Sequence, residues 1–174
     1  RCLQAALNPP AADKREIQWG ELLFRTGDRI MQTKNNYNVV WEKADGTVGT
    51  GMFNGDVGRI VEIDPSGELL VVNFDDRIAT YTLDMLNEID LAYAMTVHKA
   101  QGSEYQCVVL AAMPAAPSLM VRGVLYTALT RARELLIVVG DDAAIRAMAA
   151  NDRQQRRYSG LRWRLAHFAD PAER

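Results

Sequence analysis

The sequence has 174 residues, 48% hydrophobic and 24% charged, which excludes a disordered chain and suffices for one ordinary core or two small ones. A net charge of −2 neither predicts nor excludes nucleic-acid binding, which can depend on a local basic groove. No apolar run approaches the ~20 residues needed to span a bilayer, and the beginning lacks a secretory pattern, so no membrane association is expected.

Cys2 to Leu7 reads as the end of a helix, stopped at Asn8-Pro9-Pro10 because proline removes a backbone donor and restricts its predecessor. A polar connector follows. From Leu22 the texture changes to short strand-like runs: Arg29 to Thr33, Val57 to Ile63, Leu69 to Phe74 and Ile78 to Leu83. Turn chemistry separates them, with Asp45-Gly46 closing a hairpin, Asn54-Gly55 making a second turn and Pro65-Ser66-Gly67 a third. This pattern predicts a small antiparallel barrel. In the loop Lys34, Asn35, Asn36 and Tyr37, the aromatic Tyr37 is the best candidate for stacking on a nucleic-acid base.

Leu91 to Val97 reads as a buried strand covered on both faces. It delivers a dense polar segment, His98-Lys99-Ala100-Gln101-Gly102-Ser103-Glu104, in which Gly102 permits a turn or close ligand approach. Beyond it, buried-looking strands alternate with helical segments, as in an α/β domain. Val108 to Ala112 and Leu135 to Val139 are the strands, and Val121, Leu125, Ala128, Leu129 and Ala132 form a helical face between them. Asp141 and Asp142 are placed to cap a further helix. The end of the chain, with Arg153, Arg156, Arg157, Tyr158, Arg162, Trp163 and Arg164, is basic and aromatic; it could touch nucleic acid, but a solvated terminal helix is the favoured reading. Cys2 and Cys107 lack metal-ligand spacing; Cys107 reads as a small core residue, and a reduced, cytoplasmic setting fits. No metal site is expected.

Thr96-Val97-His98-Lys99-Ala100-Gln101-Gly102-Ser103-Glu104 closely resembles motif V of superfamily 1 helicases, most nearly the RecD-like branch that includes the exodeoxyribonuclease V alpha chain. Leu125-Tyr126-Thr127-Ala128-Leu129-Thr130-Arg131-Ala132-Arg133 resembles motif VI of the same enzymes, in the expected later position. Gly27-Asp28-Arg29 and Asn54-Gly55-Asp56-Val57-Gly58 resemble the SH3-like insertion of that branch. The resemblance implies an α/β fold: a discontinuous second RecA-like domain, residues 1–21 and 91–174, interrupted by an SH3-like β-barrel at 22–90.

It also implies roles. Phosphoryl transfer needs positive charge beside the phosphate oxygens as charge develops, and Arg131, matching the motif VI arginine, is the expected catalytic finger and a nucleotide contact. On sequence chemistry alone, a surface salt bridge would be an equal reading of that arginine. Gly102 and Glu104 are implied at the nucleotide, Glu104 accepting from a ribose hydroxyl. Thr96 and His98 are implied on the nucleic-acid track, while Lys99, Gln101 and Thr130 couple the two. Arg133 reads as structural or secondary.

No GxxxxGK[ST] phosphate loop and no acidic magnesium motif occur in the sequence. In the family both lie on the first RecA-like domain, so the chain is expected to be a C-terminal part of a larger ATP- and Mg-dependent DNA helicase, inactive alone. The abrupt Arg1 start fits such a part. Expected partners are single-stranded DNA, a duplex junction, the missing N-terminal RecA-like domain and subunits of a nuclease complex, with 5′ to 3′ movement by analogy. The competing reading is a non-catalytic scaffold whose barrel binds a protein.

Overall fold

The computed structural model describes residues 2–153 and 160–168. They form two compact units, Arg1–Glu104 and Tyr105–Arg174.

The first unit begins with helix α1 (Cys2–Leu7) and the antiparallel hairpin β1 (Glu16–Trp19) and β2 (Leu22–Arg25). Then come β3 (Arg29–Gln32), β4 (Asn36–Lys43), β5 (Val48–Met52), β6 (Val57–Ile63), β7 (Leu69–Phe74) and β8 (Arg77–Thr82). A 3-10 turn, Leu83–Glu88, leads into β9 (Ile89–Leu91). Strands β3 to β9 make one seven-stranded antiparallel sheet in the order β5-β4-β8-β7-β6-β3-β9.

Local chemistry accounts for the turns. Asp45 Oδ1 accepts from Thr47 N at 2.9 Å in the β4–β5 hairpin, and Asp64 accepts from Glu68 N at 2.9 Å and Leu69 N at 3.0 Å between β6 and β7. Alternation then sorts the faces. Leu70, Val72 and Phe74 of β7 point inward with Ile60 and Ile63 of β6 and Tyr81 of β8. With Phe24, Ile30, Val39, Met52 and Leu86 they form the buried core, each large side chain contributing about 1.5–3 kcal/mol of transfer free energy. Gly58 has no room for a side chain: a Cβ there would sit 2.7 Å from Phe74 Cδ1 and 2.8 Å from the Asn73 carbonyl oxygen.

One expectation changes here. The strand expected over Leu91 to Val97 stops at Leu91. Its partner β3 begins at Arg29, whose carbonyl takes the Ala92 N–H at 2.8 Å; past that point the ladder has no more β3, and the chain turns. Segments 1–21 and 91–104, grouped by sequence with the α/β domain, fall within the first unit. The Gln4 and Asn8 side chains are buried on the carboxylate of Asp28, and Leu91 pairs with Ile30.

The second unit contains β10 (Tyr105–Ala112), α2 (Arg122–Leu129), β11 (Ala132–Gly140), α3 (Asp142–Ala150) and α4 (Leu161–Phe168). β10 and β11 are parallel, from Cys107 opposite Leu135 to Ala112 opposite Gly140, as a strand–helix–strand crossover permits. α2 buries Leu125 and Ala128, and α3 buries Ala144. Asp141 caps α3 as expected, accepting from Ala143 N at 2.8 Å.

The strands are not covered on both faces: Val109 is 65% exposed, Val139 57% and Leu135 51%. Among the described residues, the helices α2 and α3 bury Leu125, Ala128 and Ala144 and leave these strand side chains exposed. Cys107 is exposed rather than a core residue, and Ala132 opens β11 instead of extending the α2 face. Of the basic, aromatic end, Arg156, Arg157 and Tyr158 lie outside the described residues, and Trp163 on α4 is exposed.

Candidate nucleotide and nucleic-acid site

The polar segment after β9 is a chain of tight turns. Ala100 N donates to Thr96 O at 3.1 Å, Gln101 N to His98 O at 3.2 Å and Ser103 N to Ala100 O at 3.2 Å. Thr96 Oγ1 accepts from Lys99 N at 3.3 Å, and Lys99 Nζ reaches back to Asp90 Oδ2 of β9 at 3.3 Å. Ala100 is the buried anchor, while Thr96, His98, Lys99, Gln101, Gly102 and Glu104 are all exposed. Burying one small apolar side chain while the backbone closes on itself leaves these six positions exposed. Gly102 sits at φ +85°, with nothing within 4 Å of the position a Cβ would take. The glycine is required by the backbone angle rather than by crowding, and its peptide is open to approach. The structure therefore brings six of the sequence-selected residues onto one loop.

Thr130 and Arg131 belong to the second unit, at the end of α2. Thr130 is the C-cap, its N–H bonded to the Tyr126 carbonyl at 3.0 Å and its Oγ1 to the Thr127 carbonyl at 3.2 Å. Arg131 Nε donates to the Thr127 carbonyl at 3.0 Å, and Nη2 to Thr130 Oγ1 at 3.3 Å. The guanidinium is thus laid over the carbonyl end of α2, where the helix dipole favours a cation. Arg131 O accepts from Tyr105 N at 2.8 Å, joining the residue to the start of β10.

Tyr37 lies on β4 in the first unit, 66% exposed. Its ring meets Phe53 edge-on, centroids 5.6 Å apart at 75°. Phe53, also exposed, was not selected from sequence; its position just before the Asn54-Gly55 turn was the available signal. The loop expected over Lys34 to Tyr37 ends at Asn35, Asn36 and Tyr37 already belonging to β4, and the segment is held in place by polar side chains. Asn35 Oδ1 accepts from Asn54 N at 2.9 Å, and Asn36 Nδ2 donates to Glu88 Oε2 at 2.8 Å. Glu88 also receives Gln32 Nε2 at 3.2 Å, and Gln32 Oε1 receives the buried Tyr81 hydroxyl at 2.9 Å. Burial pushes that phenol well above the ordinary tyrosine range.

Sequence reasoning also missed a second buried polar group. Asp28 is wholly buried and accepts from Gln4 Nε2, Asn8 Nδ2, Arg25 N and the hydroxyl of Tyr93, at 2.6 to 2.8 Å. Tyr93 lies just ahead of the Thr96–Glu104 loop. Among the described residues, no three His, Cys, Asp or Glu side chains gather as metal ligands.

Comparison with known proteins gives two family matches. Residues 1–74 match the ATP-dependent RecD-like DNA helicase SH3 domain, and residues 91–139 match the UvrD-like helicase C-terminal domain. The ATP-dependent RecD2 DNA helicase of Deinococcus radiodurans is 36% identical over 165 residues, 95% of this chain and 21% of that protein. The RecBCD enzyme subunit RecD of Mycolicibacterium smegmatis is 34% identical over 150 residues, 86% of this chain and 24% of that one. That of Mycobacterium tuberculosis is 37% identical over 139 residues, 80% of this chain and 22% of its own length. The chain thus spans between a fifth and a quarter of these relatives.

Proposed function

Because the chain belongs to the RecD-like helicases, we propose that it supplies motifs V and VI to an ATP-dependent DNA motor, as a second RecA-like domain with an SH3-like barrel inserted in it. The observation that carries this reading is the Thr96–Glu104 loop. Its exposed polar side chains and its open Gly102 peptide are held by turns and by the Lys99–Asp90 ion pair.

In this reading Thr96 donates to a backbone phosphate and His98 bonds beside it. Gly102 and Glu104 meet the nucleotide, with Glu104 accepting from the ribose. Lys99, Gln101 and Thr130 relay between the two ligands. Arg131 leaves the carbonyls at the end of α2 and turns its planar fork toward the transferring phosphoryl group, where charge-assisted bonds are strongest as charge develops. An exposed peptide at a left-handed glycine and a carboxylate suit a nucleoside, so the donor set fits the sugar side of ATP. ATP supplies the anhydride whose hydrolysis drives movement. Holding its triphosphate and Mg is assigned to a first RecA-like domain with a phosphate loop, since this sequence has no such motif. Tyr37 guides a separated strand of DNA, moving 5′ to 3′ by analogy with the family. Partner subunits of a nuclease complex and a cytoplasmic location belong to the same proposal.

The test compares this chain alone with the same chain joined to a domain bearing the phosphate loop. The expected result is negligible ATP turnover alone and DNA-stimulated turnover when joined. Stoichiometric turnover by the chain alone would overturn the split-site reading.

A further inference from the structure

A buried carboxylate is expensive to desolvate unless its lone pairs are filled. At Asp28 they are. Oδ1 accepts from Asn8 Nδ2 and from the Tyr93 hydroxyl, each at 2.7 Å, and Oδ2 accepts from Gln4 Nε2 at 2.6 Å and Arg25 N at 2.8 Å. The donors come from α1 and the residue after it, from β2, and from the segment leaving β9. Arg25 itself turns elsewhere, its Nε on Glu16 at 2.6 Å, so neutral dipoles hold the charge. Such charge-assisted bonds are about twice as strong as neutral ones. A cluster of this kind fixes geometry more than it adds stability, because an apolar contact could stabilise the fold as well.

What it fixes is the exit from β9. Ala92 is tied by its backbone to Arg29, next to Asp28 in the chain, and Tyr93 by its hydroxyl to Asp28 itself. The first turn of the polar loop then starts at Thr96. On the reading that this loop serves DNA and nucleotide, we propose that Asp28 is a positioning residue: through the Tyr93 hydroxyl it sets how the Thr96–Glu104 loop leaves β9, so that the loop answers DNA as one body with the antiparallel sheet. Burial and the neighbouring carboxylate push the Tyr93 hydroxyl up to about 12, so the donor keeps its proton at working pH.

Tyr93→Phe in the full-length helicase carrying this chain removes one oxygen and leaves Asp28 its other donors. Hydrogen exchange read by mass spectrometry over residues 92–104 should quicken by about tenfold, the worth of one such bond, with β6 to β8 unchanged. The ratio of DNA-stimulated to DNA-free ATP turnover should fall by about 2- to 30-fold, the range open to coupling residues, at unchanged KM for ATP. A merely structural role would instead lower both rates together with Tm. Asp28→Ala, which takes away the oxygen that accepts from Tyr93, should reproduce the fall, and adding Tyr93→Phe to it should cause no further loss. Unchanged exchange over 92–104, an unchanged ratio, or additive losses in the double variant would each overturn the proposal. A wild-type protein without DNA-stimulated turnover would refute the helicase reading instead, leaving the exchange experiment to decide the positioning role.

Discussion

Asn36 donates to Glu88 at 2.8 Å, tying the start of β4, which presents Tyr37, to the residue immediately before β9. The exposed aromatic pair Tyr37 and Phe53 therefore sits on a braced support rather than on a free loop. If it stacks on a DNA base, Tyr37→Ala should weaken single-strand binding by about 1–3 kcal/mol, with little effect on Tm because the ring is exposed. Phe53→Ala should show part of that loss by freeing the Tyr37 ring. Fluorescence anisotropy at fixed salt checks both, and wild-type affinity in Tyr37→Ala would remove the residue from the DNA track.

Arg131→Ala in the intact helicase should lower single-turnover hydrolysis far more than ATP affinity. Fingers of this type contribute roughly 10³ to 10⁵ in rate, and less is visible where domain motion limits turnover. Arg131→Lys should rescue poorly, since an ammonium lacks the two-pronged donor geometry. The same substitution also removes the bonds to Thr127 and Thr130, so thermal stability must be read alongside. Near-normal hydrolysis by a folded Arg131→Ala protein rejects the finger, whereas a collapse in Tm identifies a helix-end brace.

Gly102→Ala meets no steric obstacle, only a backbone at φ +85°, which costs a side-chain-bearing residue about 1–2 kcal/mol. The loop should relieve that strain by leaving the left-handed region. The expected outcome is a raised KM for ATP with a Tm close to wild type. An unaltered KM would show that the peptide is not a nucleotide contact.

Two groups make stability depend on pH at opposite ends of the scale. Asp64 is held down to about 2 by the hydroxyl of Ser66 and the N–H groups of Leu69, Glu68 and Ser66. A depressed carboxylate stabilises above its unfolded value near 4 and loses that contribution as pH falls through about 2. Asp64→Ala should flatten the acid limb of a Tm-against-pH curve. Tyr93 is raised to about 12, so its contribution is complete below about 10 and lost as pH rises toward 12. Tyr93→Phe should flatten the alkaline limb, and identical limbs in variant and wild type would contradict either assignment.

What the sequence by itself determined is what short-range chemistry controls. The Asp45-Gly46, Asn54-Gly55 and Pro65-Ser66-Gly67 turns separate the strands as expected, since turn preference is set by neighbours in the chain. Asp141 caps α3 for the same reason, and the ordered residues of Thr96–Glu104 identified the family without any fold. Tertiary structure decided the rest. β9 ends at Leu91 because its partner β3 begins at Arg29, a fact about another strand. Cys107 is exposed, as are Val109, Leu135 and Val139 beside it on the short parallel sheet, since burial depends on what packs against a strand and not on the strand's own sequence. Phe53 joins Tyr37 through the β4–β5 pairing that sets Asn36 opposite Met52. Asp28 draws its donors from positions 4, 8, 25 and 93, and no periodicity or motif spans that distance. A buried charge is satisfied by whatever donors folding brings to it, so its partners become legible only when the segments are packed together.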